Sequence, residues 1–177
     1  MKGVSAPASV RRHFYKFYKG PEDLFRTVIP FLGAGLESGE ACLWIISRSI
    51  GVLEAIAAMR LRFDLIRFLE NGQLLIFPAE RWYLNRSRFS ERKTLERFRK
   101  FLQDRERLGF KAYRVVGDAG WLEERDWEKF QSYEKNSQQA IQAAKLLTIC
   151  AYPIEHCSLG QTKDVVDSHD SAFLSKF

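Results

Sequence analysis

The chain has 177 residues, 46% hydrophobic and 14% aromatic, enough for one compact domain with a substantial core. Its 28 Lys and Arg against 22 Asp and Glu leave a net charge of +6, and the excess gathers in segment 81–100, where eight basic residues face only Glu91 and Glu96. No apolar run approaches the roughly 20 residues that span a bilayer, and residues 1–10 read as a disordered lead-in to a single domain over 11–177, in a cytoplasmic protein.

Strand and helix patterns then alternate along the chain. His13-Phe14-Tyr15-Lys16-Phe17-Tyr18 is an aromatic-rich strand candidate that runs through Lys19-Gly20 into a helix opening at Pro21. Pro suits a first-turn position, and Glu22 and Asp23 complement the helix dipole. The apolar stripe of this helix is Leu24, Val28, Phe31, Leu32 and Leu36; Pro30 should kink it, and Gly39 is a natural stop. Further strand candidates fall at 41–47, 73–77, 112–116 and 146–152, and the first three of these are continuous apolar runs of the kind that buried parallel strands need. Between them, 49–72 reads as one or two helices. Ser90 is a cap for a charged helix ending at Gly109, with Leu95, Phe98 and Leu102 inside, and another helix begins near Asp126 with Trp127, Phe130, Tyr133 and Ile141 inward. The alternation predicts a three-layer α/β/α fold around a mainly parallel sheet with right-handed crossovers.

In such folds a Gly-rich loop between the first strand and helix cradles phosphate. Here that turn is too short and carries no Gly-x-x-x-x-Gly-Lys-Ser/Thr, so the phosphate-binding loop is absent and sensing or binding is favoured over phosphoryl chemistry. Ligands of open parallel sheets sit at the strand carboxyl ends. Those ends carry Tyr18, the stretch Glu80-Arg81-Trp82-Tyr83, Asp118, Trp121 and Tyr152, a composition suited to a largely apolar pocket with few polar groups. Asp118 could hold a metal in the manner of a nucleotide hydrolase or merely cap a turn. Glu80 could orient a ligand or cap the next segment, and the aromatic residues could wall a pocket or only cover the sheet edge. Cys42 and Cys150 lie in apolar strands and read as buried structural thiols. Cys157 beside His156 lacks the further ligands of a metal site. His169 reads as a capping residue. No cofactor and no metal are expected.

Several short motifs occur in a telling order. His13, Phe17 and Tyr18 match a His-Ile-Cys-x-Phe-Tyr opening, followed by Pro30-Phe31-Leu32-Gly33-Ala34-Gly35-Leu36 and Gly39-Glu40-Ala41-Cys42-Leu43-Trp44. Then come Pro-Ala-Glu-x-Trp-Tyr at 78–83, Gly-Asp-x-x-Trp at 117–121, Tyr133-Glu134 with Asn136, Cys150 with Tyr152, and Ser168-His169-Asp170. Over residues 11–172 the chain thereby resembles the MEDS domain, the sensory domain named after methanogens, methylotrophs and the dichloromethane-responsive regulator DcmR. Tyr15 stands where the family often has Cys, and Asp170 where it usually has Pro. The resemblance implies a RecA/KaiC-like core without its phosphate loop and a role in signalling, with hydrocarbon derivatives as ligands. It also adds His13, which starts its strand far from the carboxyl edge, to the candidate ligand set of Tyr18, Glu80, Trp82, Tyr83, Asp118, Trp121 and Tyr152.

The expected function is therefore a non-enzymatic sensory domain for a small organic molecule. Its output would pass to a histidine kinase or transcription regulator, or through a homodimer. The alternatives are a degenerate nucleotide-binding enzyme using Asp118 and Glu80, and an adaptor that meets protein or, less in keeping with its interspersed Glu residues, nucleic acid through segment 81–100.

Overall fold

A computed structural model describes residues 12–174 except Lys145, leaving out the side chains at 139, 140, 142 and 143. The lead-in expected at 1–10 lies outside these residues. In chain order the elements are β1 (His13–Tyr18), α1 (Pro21–Glu37), β2 (Ala41–Ile46), α2 (Val52–Arg60), α3 (Leu65–Glu70), β3 (Leu74–Pro78) and α4 (Ala79–Tyr83). They continue with β4 (Leu84–Asn85), β5 (Arg88–Phe89), α5 (Glu91–Arg107), β6 (Tyr113–Asp118), α6 (Trp127–Ala143), β7 (Leu146–Pro153), α7 (Leu159–Ser168) and β8 (Ser171–Ala172).

Six strands form one sheet in the order β3-β2-β6-β7-β1-β8, every neighbouring pair parallel. The fully buried run Ala41-Cys42-Leu43-Trp44-Ile45-Ile46 explains itself as an inner strand: both faces are covered, so every position is apolar. Side chains alternate between two cores. Trp44, Ile46, Val116 and Ile149 meet α1, α2 and α3 on one face. Leu43, Ile45, Val115, Leu146 and Cys150 meet α4, α5, α6 and α7 on the other.

α1 runs unbroken through Pro30, whose side chain is exposed, and chain reversal follows at Gly39 with φ +76. Ser90 accepts the Lys93 amide and so caps α5. Segment 49–72 resolves into two helices. A two-residue hairpin between β4 and β5, with Arg86 and Ser87 both at positive φ, and the short β8 add to the pattern read from sequence. Much of the positive charge of segment 81–100 is tied internally. Arg92 and Lys93 pair with Glu96, Lys100 with Asp104 and Arg88 with Asp126, while Arg97 donates to the Trp82 carbonyl. No described helix is long and apolar enough to cross a membrane.

Candidate functional site

The residues expected at one edge are divided by the sheet. Asp118 ends β6 on the α1 side and is 0% exposed. Its carboxylate accepts the Tyr18 hydroxyl at 2.8 Å, the Ser47 amide at 2.9 Å, the Gly120 amide at 2.9 Å and the Ser47 hydroxyl. Burial raises its pKa against the pull of these bonds. Four donors occupy the carboxylate's acceptor directions, so Asp118 and Tyr18 lock the ends of β1, β2 and β6 together. Glu80 accepts the Arg48 amide at 2.9 Å, which ties the segment after β2 to α4. Trp82 packs edge-on against Phe77 and Phe98.

On the opposite face a cavity of about 160 Å³ lies between the sheet, α5 and α6. Leu95, Phe98 and Leu102 recur at helical spacing along α5, and Ile141 faces them from α6; with Val115 of β6 they make an apolar wall. Tyr83 closes one side. Its ring stacks on Trp121 at 4.8 Å, and Trp121 stacks in turn on Phe89. The Tyr83 hydroxyl lies so near β6 that a Cβ at Gly117 would come within 2.5 Å of it. Only glycine allows that approach.

One end of the cavity is polar. His13 begins β1, and the parallel register sets it beside Thr148 with Cys150 two residues further along β7. Glu134, on the buried side of α6, meets His13 Nε2 at 3.0 Å and accepts from the Cys150 thiol at 3.3 Å. His169 Nε2 stands 3.5 Å from the same Glu134 oxygen, and the two imidazole rings are 4.2 Å apart. Gln138 joins His13 Nδ1 at 2.8 Å and donates to Asp170, whose other oxygen accepts the Arg12 and His13 amides.

Burial opposes charge on both histidines, with different outcomes. For His13 the bond to Glu134, the Glu134 charge, the Gln138 bond and the Asp170 charge together outweigh burial and raise its pKa, whereas His169 is pushed down to about 4. Burial also opposes the Glu134 carboxylate, but the His13 bond and charge, the His169 charge and the Cys150 bond together hold its pKa below the usual range; burial and then the Glu134 charge push the Cys150 thiol well up.

Of the eight residues picked from the sequence, His13 and Tyr83 line this cavity and Trp121 backs it. Tyr152, 1% exposed, shares the face and packs against Trp127 and His169. It also borders a separate cleft of about 380 Å³ at the carboxyl edge, beside Glu155, His156 and Cys157. Tyr18, Glu80, Trp82 and Asp118 line neither the cavity nor this cleft. Sequence reasoning named Tyr133 and Glu134 only as an inward residue and a family motif, left them out of the site, missed Thr148, and read Cys150 as a plain buried thiol. His169 does cap α7, through Nδ1 to the Val165 carbonyl at 2.7 Å, but its other nitrogen faces Glu134. The available signal was Glu134 itself, a carboxylate beside Tyr133 on the inner stripe of α6.

The model of one protein family, the methanogen/methylotroph, DcmR sensory domain (MEDS), matches residues 12–170. Two solved structures share the fold. A KaiC-like protein from the archaeon Pyrococcus horikoshii OT3 has 13% identity and a TM-score of 0.57 over 88% of this chain and 68% of its own. The flagellar accessory protein FlaH from Methanocaldococcus jannaschii has 15% identity and a TM-score of 0.59 over 95% and 74%. No curated protein sequence matches. These likenesses establish the RecA/KaiC-like core. Where such a core would carry a phosphate loop, only Lys19 and Gly20 join β1 to α1.

Proposed function

The chain belongs to the MEDS family of sensory domains, and from that premise we propose that it senses a small, largely apolar organic molecule held in the cavity between the sheet, α5 and α6. The observation that carries this reading is the cavity's size and character: about 160 Å³, walled mainly by apolar side chains, with polar groups gathered at the Glu134 end and Arg99 of α5 also in its lining. An apolar cavity of roughly 150 Å³ takes a benzene-sized guest. The polar end would orient a hydroxyl, carbonyl or halogen. With a ceiling of about 1.5 kcal/mol per heavy atom, dichloromethane would bind no tighter than about millimolar, while a benzene-sized ligand has room for micromolar affinity.

Titration calorimetry with benzene and dichloromethane tests the proposal. Ala144→Phe, which drives a ring into the cavity, is expected to weaken binding at least about tenfold, or about 1.4 kcal/mol. Trp121→Ala removes the wall behind Tyr83 and should cost about 1–3 kcal/mol. Glu80→Ala should change nothing, because Glu80 bonds the Arg48 amide away from the cavity. Unchanged affinity in both Ala144→Phe and Trp121→Ala would move the site elsewhere.

The domain is proposed to work without catalysis. Phosphoryl transfer rests on positioning and charge stabilisation, and neither a phosphate loop nor a free Asp118 carboxylate supplies them here. ATP turnover measured as phosphate release is therefore expected to stay at background, and turnover abolished by Asp118→Asn would overturn this. Signal output is proposed to pass to a kinase or transcription regulator, or through a second copy. The three free cysteines suit the reducing cytoplasm.

A further inference from the structure

Four donor atoms from distant parts of the sequence meet at the polar end of the cavity: His13 Nε2, Glu134 Oε2, Cys150 Sγ and His169 Nε2, all within 4.8 Å of one another. The geometry points to a site for one Zn²⁺ ion held by these four atoms. A tetrahedral zinc ion with bonds of about 2.0–2.3 Å spaces its ligand atoms about 3.3–3.8 Å apart. Here His13 Nε2 and Cys150 Sγ are 3.3 Å apart, Cys150 Sγ and Glu134 Oε2 3.3 Å, His169 Nε2 and Glu134 Oε2 3.5 Å, and His13 Nε2 and Glu134 Oε2 3.0 Å. Two imidazoles, a thiol and a carboxylate are the ligand types that borderline-soft zinc accepts.

Hydrogen bonding around the four atoms fixes which nitrogens face inward. His169 Nδ1 lies 2.7 Å from the Val165 carbonyl, an acceptor only, so Nδ1 carries the proton and Nε2 a bare lone pair. That lone pair is buried without a partner among the described residues and points at a carboxylate oxygen. Two facing acceptors repel, and a buried polar atom normally finds a partner. A cation between them removes that repulsion and gives the His169 lone pair its partner. At His13, Gln138 donates its amide to Asp170 at 2.6 Å, which turns its oxygen toward His13 Nδ1 at 2.8 Å. His13 Nδ1 therefore donates outward and Nε2 is directed at the site. Both imidazoles thus have the outer-shell support that metal-ligating histidines use.

Charge also balances. Before metal binding, a His13 imidazolium offsets the Glu134 carboxylate and Cys150 is a neutral thiol. Zn²⁺ enters, the Cys150 thiol and His13 Nε2 each release one proton to solvent, and four coordinate bonds form. The buried site is neutral before and after. Three of the four ligands also line the organic cavity, yet the zinc reading does not depend on a cavity ligand, and the two are tested separately.

The purified chain is titrated with Zn²⁺ alone against a chromophoric chelator, and with Co²⁺ as a spectroscopic substitute. One saturable equivalent is expected, with the intense visible bands of tetrahedral cobalt and a sulfur-to-cobalt charge-transfer band. Cys150→Ser should remove the charge-transfer band, and Cys157→Ser should keep it. Gln138→Leu should weaken zinc binding about 10–100-fold while leaving the band, as loss of outer-shell support does, and His169→Ala should weaken it further. The wild-type cobalt spectrum decides even if a variant fails to fold. Absence of a saturable equivalent, a spectrum without thiolate ligation, or a band lost on Cys157→Ser would overturn the proposal.

Discussion

Asp118→Ala is expected to lower the stability of the fold by about 3–5 kcal/mol, the range in which removal of one partner from a buried ionic or hydrogen-bonded cluster falls. The side chain is 0% exposed and accepts four donors from three places in the chain. Truncation leaves the Tyr18 and Ser47 hydroxyls and the Ser47 and Gly120 amides facing a void that the parallel strand ends close to water. For a domain of this length the loss corresponds to a fall in Tm of about 6–20 °C. Asp118→Asn keeps one acceptor oxygen but turns an amide NH₂ toward donors, so it should lie between. A loss below about 1 kcal/mol by chemical denaturation would show that the cluster does not hold the strand ends.

Trp44→Ala should cost a similar amount, about 3–5 kcal/mol, for a different reason. Trp44 is the largest fully buried side chain, in the middle of β2, with Phe25 of α1 edge-on at 5.7 Å. Its removal opens a cavity at the centre of one core. Its indole nitrogen has no hydrogen-bond partner among the described residues, however. Trp44→Phe therefore forfeits packing alone and should cost only about 1–2 kcal/mol. Equal losses for the two variants would point to a hidden partner for the indole.

The fold was legible because burial on both faces writes itself into sequence as unbroken apolar runs. The five strands read at 13–18, 41–47, 73–77, 112–116 and 146–152 all exist with ends shifted by two residues or fewer. The β4–β5 hairpin was not legible, because its turn uses Arg86 and Ser87 where Asn-Gly normally announces positive φ. β8 has two residues and no periodicity to detect. The site was legible only in part. Reading strand ends gathers residues by height along the sheet, but side chains at alternate positions leave on opposite faces. Tyr18 and Asp118 thus part from Tyr83 and Tyr152, although all four sit near the same edge. The His13–Glu134–Cys150–His169 cluster needs the β1–β7 register, which a single sequence does not supply.

That register also bears on how the chain is made. β1 is synthesised first, yet its sheet neighbours are β7 and β8, and 137 residues separate His13 from Cys150. Through most of translation the aromatic segment 13–18 has no sheet partner. Contacts of such long range close slowly, and unpaired strand edges are prone to aggregate. The nascent chain therefore emerges from the ribosome with its first strand waiting for nearly its last, and Lys16, midway along that strand, is a charge placed where it discourages wrong pairing in the meantime.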